Sequence, residues 1–229
     1  MITVRHQSVK KARAVPTGFA LTVFIILPAL LILAFLVDKL ILQREHHFDQ
    51  FIFDQLGAIT NPSMTRLMVV VNFFGSVYFL IPAYSLLILI YTILEKDRVQ
   101  SRNIAAVGLA GFMVLWALNT VFQHAPPPDP LKLSGFSFPG GHPFLLFTFF
   151  GLLIYIAWKQ RTSLMFKCIL AIMLLAIVWA IAFSRIYLHV HYFTDVITGL
   201  CLCMMWLGIS GWLLSKRKNE AVIDYAGAR

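Results

Sequence analysis

Charged residues are scarce in this chain of 229 residues. They make up 13% of the sequence, and carboxylates are the rarer kind, with ten Asp and Glu against 19 Lys and Arg. An average soluble domain has about 25% charged residues, so the composition argues against one. A soluble helical bundle, the alternative, would need polar faces at the 3.6-residue period. The long apolar stretches of this chain lack such faces, which disfavours the soluble alternative.

Cysteine is also rare. The three cysteines, Cys168, Cys201 and Cys203, lie inside apolar stretches, where cysteine usually packs as a small hydrophobe. We therefore predict no disulfide framework, no metal site and no cofactor. The sequence also shows no internal repeat and no low-complexity tract, which leaves a single domain as the expectation.

Apolar residues are abundant: 59% of the chain is hydrophobic, with a mean hydropathy of +0.80. A helix needs about 20 apolar residues to cross a bilayer. Six stretches predict an all-α, polytopic membrane protein with six transmembrane helices, at about 15–37, 77–94, 103–122, 144–158, 168–183 and 192–214. Residues 62–74 are apolar but short, and we interpret them as a re-entrant or interfacial helix. The first stretch is too long for the apolar core of a signal peptide and is expected to remain in the mature protein.

Basic residues predict the orientation. They cluster at 5–13, 96–102, 159–167 and 216–218, which six spans would place on one side of the membrane. Loops rich in Lys and Arg face the cytoplasm. We therefore expect both termini to be cytoplasmic, with a membrane domain over 1–216 and a tail over 217–229. The net charge of +9 is then explained by topology and anionic lipids rather than by nucleic acid.

Three polar segments are predicted at the outer ends of the helices. They read "NTVFQHAPPPDPLKLSG" from Asn119, "FSFPGGHP" from Phe136 and "SRIYLHVHYFTDV" from Ser184. Polar residues from separate helices at one membrane depth are how a helical bundle commonly forms a site. We therefore look for function in these three segments.

The third segment has the most informative spacing. If the last helix begins near His191, Asp195 lies at i+4 on the same face. A carboxylate can orient an imidazole and leave its other nitrogen to act as nucleophile or base. Arg185 offers a planar fork suited to phosphate. The alternative is an interfacial His–Asp pair that serves solubility, and we interpret His189 as a packing or lipid-interface residue.

The second segment places Gly140 and Gly141 before His142, where the chain would enter a helix. Backbone N–H groups at a helix start bind anions, and a histidine beside them can act as a general acid. An ordinary loop-to-helix turn with an interfacial histidine is the alternative.

Together, "PGGH" and the later "SRIYLHVHYFTD" resemble the type 2 phosphatidic acid phosphatase family of integral membrane lipid phosphatases. The family signature is K-x6-R-P, then P-S-G-H, then S-R-x5-H-x3-D, and the third motif matches here in full. The resemblance implies that His191 forms a phosphohistidine, that Asp195 orients it and that His142 is the general acid. It also implies no metal, and a phosphate held by Arg185, Ser184, Gly140 and Gly141.

The first two motifs depart from the signature. Gly140 replaces the serine, while Asn119 and Pro126 stand at the lysine and arginine positions, and Pro127 is retained. A donor aimed at transition-state charge is worth about 10² to 10³ in rate, so reduced activity is expected. Asn119, His124 and Lys132 are the candidates in the same loop for replacing the missing contacts.

Three functions remain open. The first is hydrolysis of a lipid phosphate or diphosphate, either phosphatidate-like or a polyprenyl diphosphate, at the outer face of a bacterial inner membrane. The second is lipid phosphotransfer, because sphingomyelin synthases and inositol phosphorylceramide synthases resemble this arrangement, including an "HYxxDV" stretch like residues 191–196. The third is a non-catalytic member that binds a lipid head group or a protein partner.

Overall fold

The computed structural model describes residues 17–39, 47–122 and 141–227, and all regular structure within these ranges is helical. The helices are α1 (Thr17–Val37), α2 (His47–Gly57), α3 (Pro62–Phe73), α4 (Val77–Leu89), α5 (Arg98–Phe122), α6 (Gly141–Lys159), α7 (Leu164–Tyr187) and α8 (Phe193–Gly227). A π-helical turn, Ile90–Leu94, extends α4. The all-α prediction is confirmed for the described ranges.

Several helices are long and apolar enough to cross a membrane. Four stretches of the described chain meet this condition: Pro62–Leu94, Arg98–Val121, Leu164–Tyr187 and Phe193–Leu214. Two further apolar helical stretches, Val23–Val37 and Pro143–Lys159, are shorter. Each of the six predicted spans falls on one of these helices, so an integral membrane protein is supported. The count of six spans stays a prediction, as does the re-entrant interpretation of 62–74, because α3 and α4 together form one 33-residue apolar stretch.

The packing order places α6 in the middle of the bundle. It packs against α4, α5, α7 and α8, while α8 also packs against α1, and α7 also packs against α3. The shared core contains Phe144 and Leu146 of α6, Val178 and Ile181 of α7, and Val196 of α8. Many large apolar side chains instead point outward, among them Phe24, Tyr78 and Leu94. Extensive exposed apolar surface of this kind is what lipid-facing helices present.

Short connections fix which helix ends lie together. Residues 160–163 join α6 to α7 and residues 188–192 join α7 to α8, so consecutive helices run in opposite directions. The start of α6, the end of α7 and the start of α8 therefore lie at one end of the bundle, which we call the site end. Arg185 near the end of α7 donates from Nη2 to the carbonyl oxygen of Gly75 (2.7 Å), which places the junction of α3 and α4 there as well. Because α5 returns from the opposite end after a short turn, its last residues also lie at the site end.

Two features differ in detail from the sequence interpretation. The short helix α2 was not among the predicted elements. The last helix begins at Phe193 and continues as one helix of 35 residues to Gly227, so the segment predicted as a tail from 217 begins inside α8.

Candidate active site

The end of α7 is shaped by a left-handed residue. His189 has a φ of 56°, a conformation common just past a helix C-terminus. The backbone N–H groups of Val190 and His191 both donate to the carbonyl oxygen of Arg185, at 2.9 and 3.3 Å. The chain therefore reverses within a few residues, and His191 lies in the turn between α7 and α8.

His189 itself packs against a neighbouring helix. Its ring lies 4.4 Å, between centroids, from the ring of Phe53 in α2. This contact agrees with the packing role that the sequence interpretation favoured for His189.

His191 and Asp195 are brought together, although not within one helix as the i, i+4 spacing suggested. His191 precedes α8, and Asp195 lies in its first turn. Nδ1 of His191 is 3.8 Å from Oδ2 of Asp195, which is longer than a direct hydrogen bond but within ion-pair range. Both residues are buried. The carboxylate is held in place because Oδ2 also accepts the backbone N–H of Tyr192 at 3.1 Å.

The setting of His191 favours a neutral imidazole. Burial lowers the pKa of His191 below its ordinary value, the positive charge of Arg185 lowers it further, and Asp195 opposes both. A neutral imidazole keeps a lone pair, which both a nucleophile and a base require. The site therefore suits nucleophilic or general-base chemistry.

Arg185 is buried and partly committed to the fold. Nη2 binds the carbonyl oxygen of Gly75, whereas Nε has no hydrogen-bond partner among the described residues. A buried guanidinium with an unsatisfied N–H retains capacity for an anion. The sequence interpretation treated Arg185 only as a phosphate ligand, and the structure adds a bond to the α3–α4 junction.

Ser184 is fully buried, and its hydroxyl is already engaged. Oγ donates to the carbonyl oxygen of Ile181 at 2.7 Å. To donate to a phosphate oxygen, the hydroxyl would have to give up this bond. Its predicted role in phosphate binding therefore has an energetic cost that the sequence did not reveal.

Of the other residues predicted for the site, three lie at the site end and the rest fall outside the described ranges. Asn119 lies near the end of α5 at the site end, and its Oδ1 is buried without a hydrogen-bond partner in the described part of the chain. Gly141 and His142 are the first two residues of α6, also at the site end. Gly140, His124 and Lys132 lie outside the described residues, as do Pro126 and Pro127 of the first motif.

One buried carboxylate near the site was missed by the sequence interpretation. Asp49 of α2 accepts hydrogen bonds from the backbone N–H (3.1 Å) and the hydroxyl (2.6 Å) of Thr194, next to Asp195. It lies 145 positions from Thr194, so no local pattern could have revealed the contact. Within the described ranges, no group of three or more His, Cys, Asp or Glu side chains is arranged to hold a metal ion.

Comparison with known proteins places this arrangement in context. Residues 120–219 match the family model of the PAP2 superfamily. This segment contains His142, Arg185, His191 and Asp195, whereas α1–α4 precede it. Among curated proteins, no sequence matches the chain significantly.

Two solved structures are similar in fold. The first is the crystal structure of a transmembrane PAP2 type phosphatidylglycerolphosphate phosphatase from Bacillus subtilis, with a TM-score of 0.71 and 22% identity over 85% of this chain and 96% of that one. The second is LpxE from Aquifex aeolicus, with a TM-score of 0.52 and 22% identity over 70% of this chain and 93% of that one. The family-model match and the shared fold together confirm the resemblance of this chain to the type 2 phosphatidic acid phosphatases, the PAP2 superfamily.

Proposed function

We propose that this chain is a membrane lipid phosphatase that hydrolyses a lipid phosphate or diphosphate through a phosphohistidine intermediate. The observation that carries the proposal is the buried group of His191, Asp195 and Arg185 at the site end, inside the segment that matches the family model. A neutral imidazole, a carboxylate beside its Nδ1 and a guanidinium with an unsatisfied N–H are the groups that this reaction needs.

In the first step, Nε2 of His191 attacks the phosphorus atom. The P–N bond forms while the bond from phosphorus to the leaving oxygen breaks, and His142 donates a proton to that oxygen. Positive charge develops on the imidazole ring, and Asp195 near Nδ1 stabilises it. Asp195 also favours the tautomer with the proton on Nδ1, which keeps the Nε2 lone pair for the attack.

In the second step, water attacks the phosphohistidine. His142, deprotonated by the first step, accepts a proton from the water, and the P–N bond breaks with its electrons returning to Nε2. Inorganic phosphate leaves, and His191 and His142 regain their starting protonation states. The bonds and protons of the cycle balance with these two histidines and water.

The proposed phosphate cradle is sparse. Arg185 would contribute the donors that Gly75 does not occupy, and the backbone N–H groups of Gly140 and Gly141 would supply the rest. Asn119, Ser184 and His124 are the further candidates, with the Ser184 hydroxyl engaged in its own helix. Because two cations and a hydroxyl of the family signature are absent, we propose lower turnover than a full-motif relative would show.

The distribution of basic residues supports an outward-facing site. Lys96 precedes α5 and Arg98 begins it, while Lys159 ends α6 and Arg161 lies in the turn to α7. All four are at the end of the bundle opposite the site. The positive-inside rule then puts that opposite end, and both termini, in the cytoplasm. The proposed substrate is a lipid phosphate of the outer leaflet of a bacterial inner membrane, phosphatidate-like or a polyprenyl diphosphate.

The proposal is tested by phosphate release from a panel of lipid phosphates and diphosphates with the detergent-purified protein. We expect release that His191→Ala abolishes and that His47→Ala, a control at an exposed histidine, leaves unchanged. Turnover by His191→Ala near that of the wild type would overturn the nucleophile assignment. Absence of release by the wild type, where a full-motif relative is active, would overturn hydrolysis as the function.

The sparse cradle also favours a second candidate, a lipid phosphotransferase. In that reaction an alcohol instead of water takes the phosphoryl group from His191, and the chain keeps the histidines and aspartate that transferases of this type use. Transfer to a labelled lipid alcohol that depends on His191, without phosphate release, would identify this function. Loss of both reactions would leave the non-catalytic lipid-binding member as the remaining alternative.

A further inference from the structure

The start of α8 receives a hydrogen-bond acceptor from another helix. The first N–H groups of a helix have no partner within the helix, and a Ser, Thr, Asp or Asn before the first turn usually supplies an acceptor. In α8 this position is occupied by Tyr192, which is not one of these residue types. The N–H of Thr194 instead donates to Oδ1 of Asp49 in α2, at 3.1 Å.

Asp49 holds Thr194 with both carboxylate oxygens. While Oδ1 accepts the backbone N–H, Oδ2 accepts the threonine hydroxyl at 2.6 Å, and the carboxylate is 1% exposed. A negative group at a helix start is also favoured by the helix dipole. Two bonds from one buried carboxylate to one residue fix both the backbone and the side-chain direction of Thr194.

Aromatic contacts hold α2 over the same turn. Phe53 packs against the rings of His189 (4.4 Å) and Tyr192 (5.7 Å), and Phe48 packs edge-on against Phe193 (5.6 Å). The turn that carries His191 is therefore enclosed on one side by α2, with Asp49 as the polar contact within an apolar interface.

Because Thr194 is fixed, the neighbouring residue Asp195 is held in position as well. Asp195 follows Thr194 directly, its Oδ2 accepts the N–H of Tyr192, and the same oxygen lies 3.8 Å from Nδ1 of His191. A shift of the first turn of α8 would move this carboxylate relative to the imidazole. Misplacement of a reacting group by about 1 Å can cost about 10²-fold in rate.

We propose that Asp49 is a positioning residue of the active site: through Thr194 it fixes the first turn of α8 and so holds Asp195 in place to orient His191. This proposal rests on the proposed role of His191 as the nucleophile. Asp49 acts through its two bonds to Thr194, and it lies outside the segment that matches the family model.

The kinetic test compares Asp49→Asn and Thr194→Val with Asp54→Asn, a matched change at an exposed carboxylate of α2. We expect kcat to fall about tenfold or more in the first two variants while KM stays within about threefold, with no effect of Asp54→Asn. Thr194→Ser keeps the hydroxyl donor and should retain activity. Unchanged kcat in both Asp49→Asn and Thr194→Val would overturn the proposal.

A double-variant comparison tests whether Asp49 acts through Asp195. In an Asp195→Asn background, adding Asp49→Asn should change kcat by less than about twofold, because residues that act in one chain of contacts are not additive. If the loss of kcat in the double variant equals the product of the losses in the two single variants, Asp49 acts independently of Asp195. That result would overturn the positioning role.

A third readout does not depend on turnover. Carbethoxylation of His191 by diethylpyrocarbonate, followed by mass spectrometry, should become about fivefold faster or more in Asp49→Asn, because the enclosed turn opens. Exposed His47 serves as the internal standard. If carbethoxylation of His191 is faster in Asp49→Asn but the wild type releases no phosphate, the proposed phosphatase function is overturned and the positioning role of Asp49 is kept. An unchanged carbethoxylation rate would overturn the positioning role. If Asp49→Asn does not fold, Thr194→Val, which removes only the side-chain bond, provides the same comparison.

Discussion

At the scale of single residues, the surroundings of His191 determine the protonation state of its imidazole. The side chain is 4% exposed, with Asp195 near one ring nitrogen and the charge of Arg185 nearby. Burial and Arg185 disfavour the imidazolium, and Asp195 favours it. Because burial is the largest of these influences, the pKa of His191 lies below its ordinary value, which favours the neutral imidazole.

This balance predicts the pH profile of turnover. An ordinary histidine titrates at about pH 6.5. Because the pKa of His191 is lowered, the imidazole stays neutral as the pH falls past that value, and the acid limb of kcat/KM should lie below about pH 6.5. Phosphate release measured across the acidic range checks this.

The control for the pH profile is Asp195→Asn. It removes the carboxylate that raises the pKa of His191, so the residual activity should show an acid limb at still lower pH. An acid limb at or above about pH 6.5 in the wild type would contradict the burial of a neutral nucleophile.

The sequence predicted that His191 and Asp195 lie close together, because their relation is local. His191 and Asp195 are four positions apart, and a helix start between them preserves their proximity. It could not predict that Arg185 binds Gly75, 110 positions away, because that bond depends on the packing of α7 against the α3–α4 junction. The sequence also could not predict the bond from Ser184 to Ile181. A serine that bonds within its own helix and a serine that binds a ligand look alike in a sequence.

At the scale of elements, the junction of α3 and α4 requires a glycine. A Cβ at Gly75 would lie 2.5 Å from Cγ2 of Ile181 and 3.1 Å from Nε of Arg185. The close approach of this backbone to α7 is what allows Arg185 to reach the carbonyl oxygen of Gly75. The glycine therefore joins helix packing to the position of the guanidinium.

We expect Gly75→Ala to destabilise the protein and to lower turnover. Overpacking of this kind costs about 1 to 3 kcal/mol, which corresponds to a loss of several degrees in Tm for a protein of this size. Thermal unfolding in detergent measures the shift. The control is Gly57→Ala, where a Cβ would meet nothing within 4 Å. Equal stability of the two variants would contradict the packing described for Gly75.

Helix α2 shows where element prediction fails. Its 11 residues include two aspartates and two glutamines and are too few to cross a membrane, so a search for apolar stretches passes over them. What stabilises α2 is its contact with the turn before α8, through Phe53 and Asp49. That information is tertiary, whereas the long apolar stretches predicted α5, α7 and α8 without it.

At the scale of the whole molecule, the two ends of the bundle differ in chemistry. The site end contains His191, Asp195 and Arg185 in buried positions, and the opposite end has the basic turns at Lys96 and Arg161. This difference predicts an orientation in the membrane that activity measurements do not test.

Cysteine labelling tests that orientation in intact bacterial cells. In a background in which Cys168, Cys201 and Cys203 are replaced, a membrane-impermeant maleimide should label Ile59→Cys, beside the site end, from outside. Arg161→Cys, at the opposite end, should be labelled only after permeabilisation, because basic turns face the cytoplasm. Both positions are exposed, so accessibility of the side chain is matched. The reverse labelling pattern would overturn the outward-facing site.

The contacts of Asp49 and Gly75 have a consequence for residues 120–219, the segment that matches the family model. Residues 120–219 carry the third motif in full and the second in part, yet the cap on α8 and the carbonyl that anchors Arg185 come from α2 and the α3–α4 junction. The segment therefore does not contain all the contacts that hold its own His191, Asp195 and Arg185 in place. If residues 120–219 were transplanted into another protein of this fold, the first helices of that protein would have to supply a carboxylate and a glycine at the positions of Asp49 and Gly75. A chimera without them would form the helical bundle but would hold His191 in the wrong position.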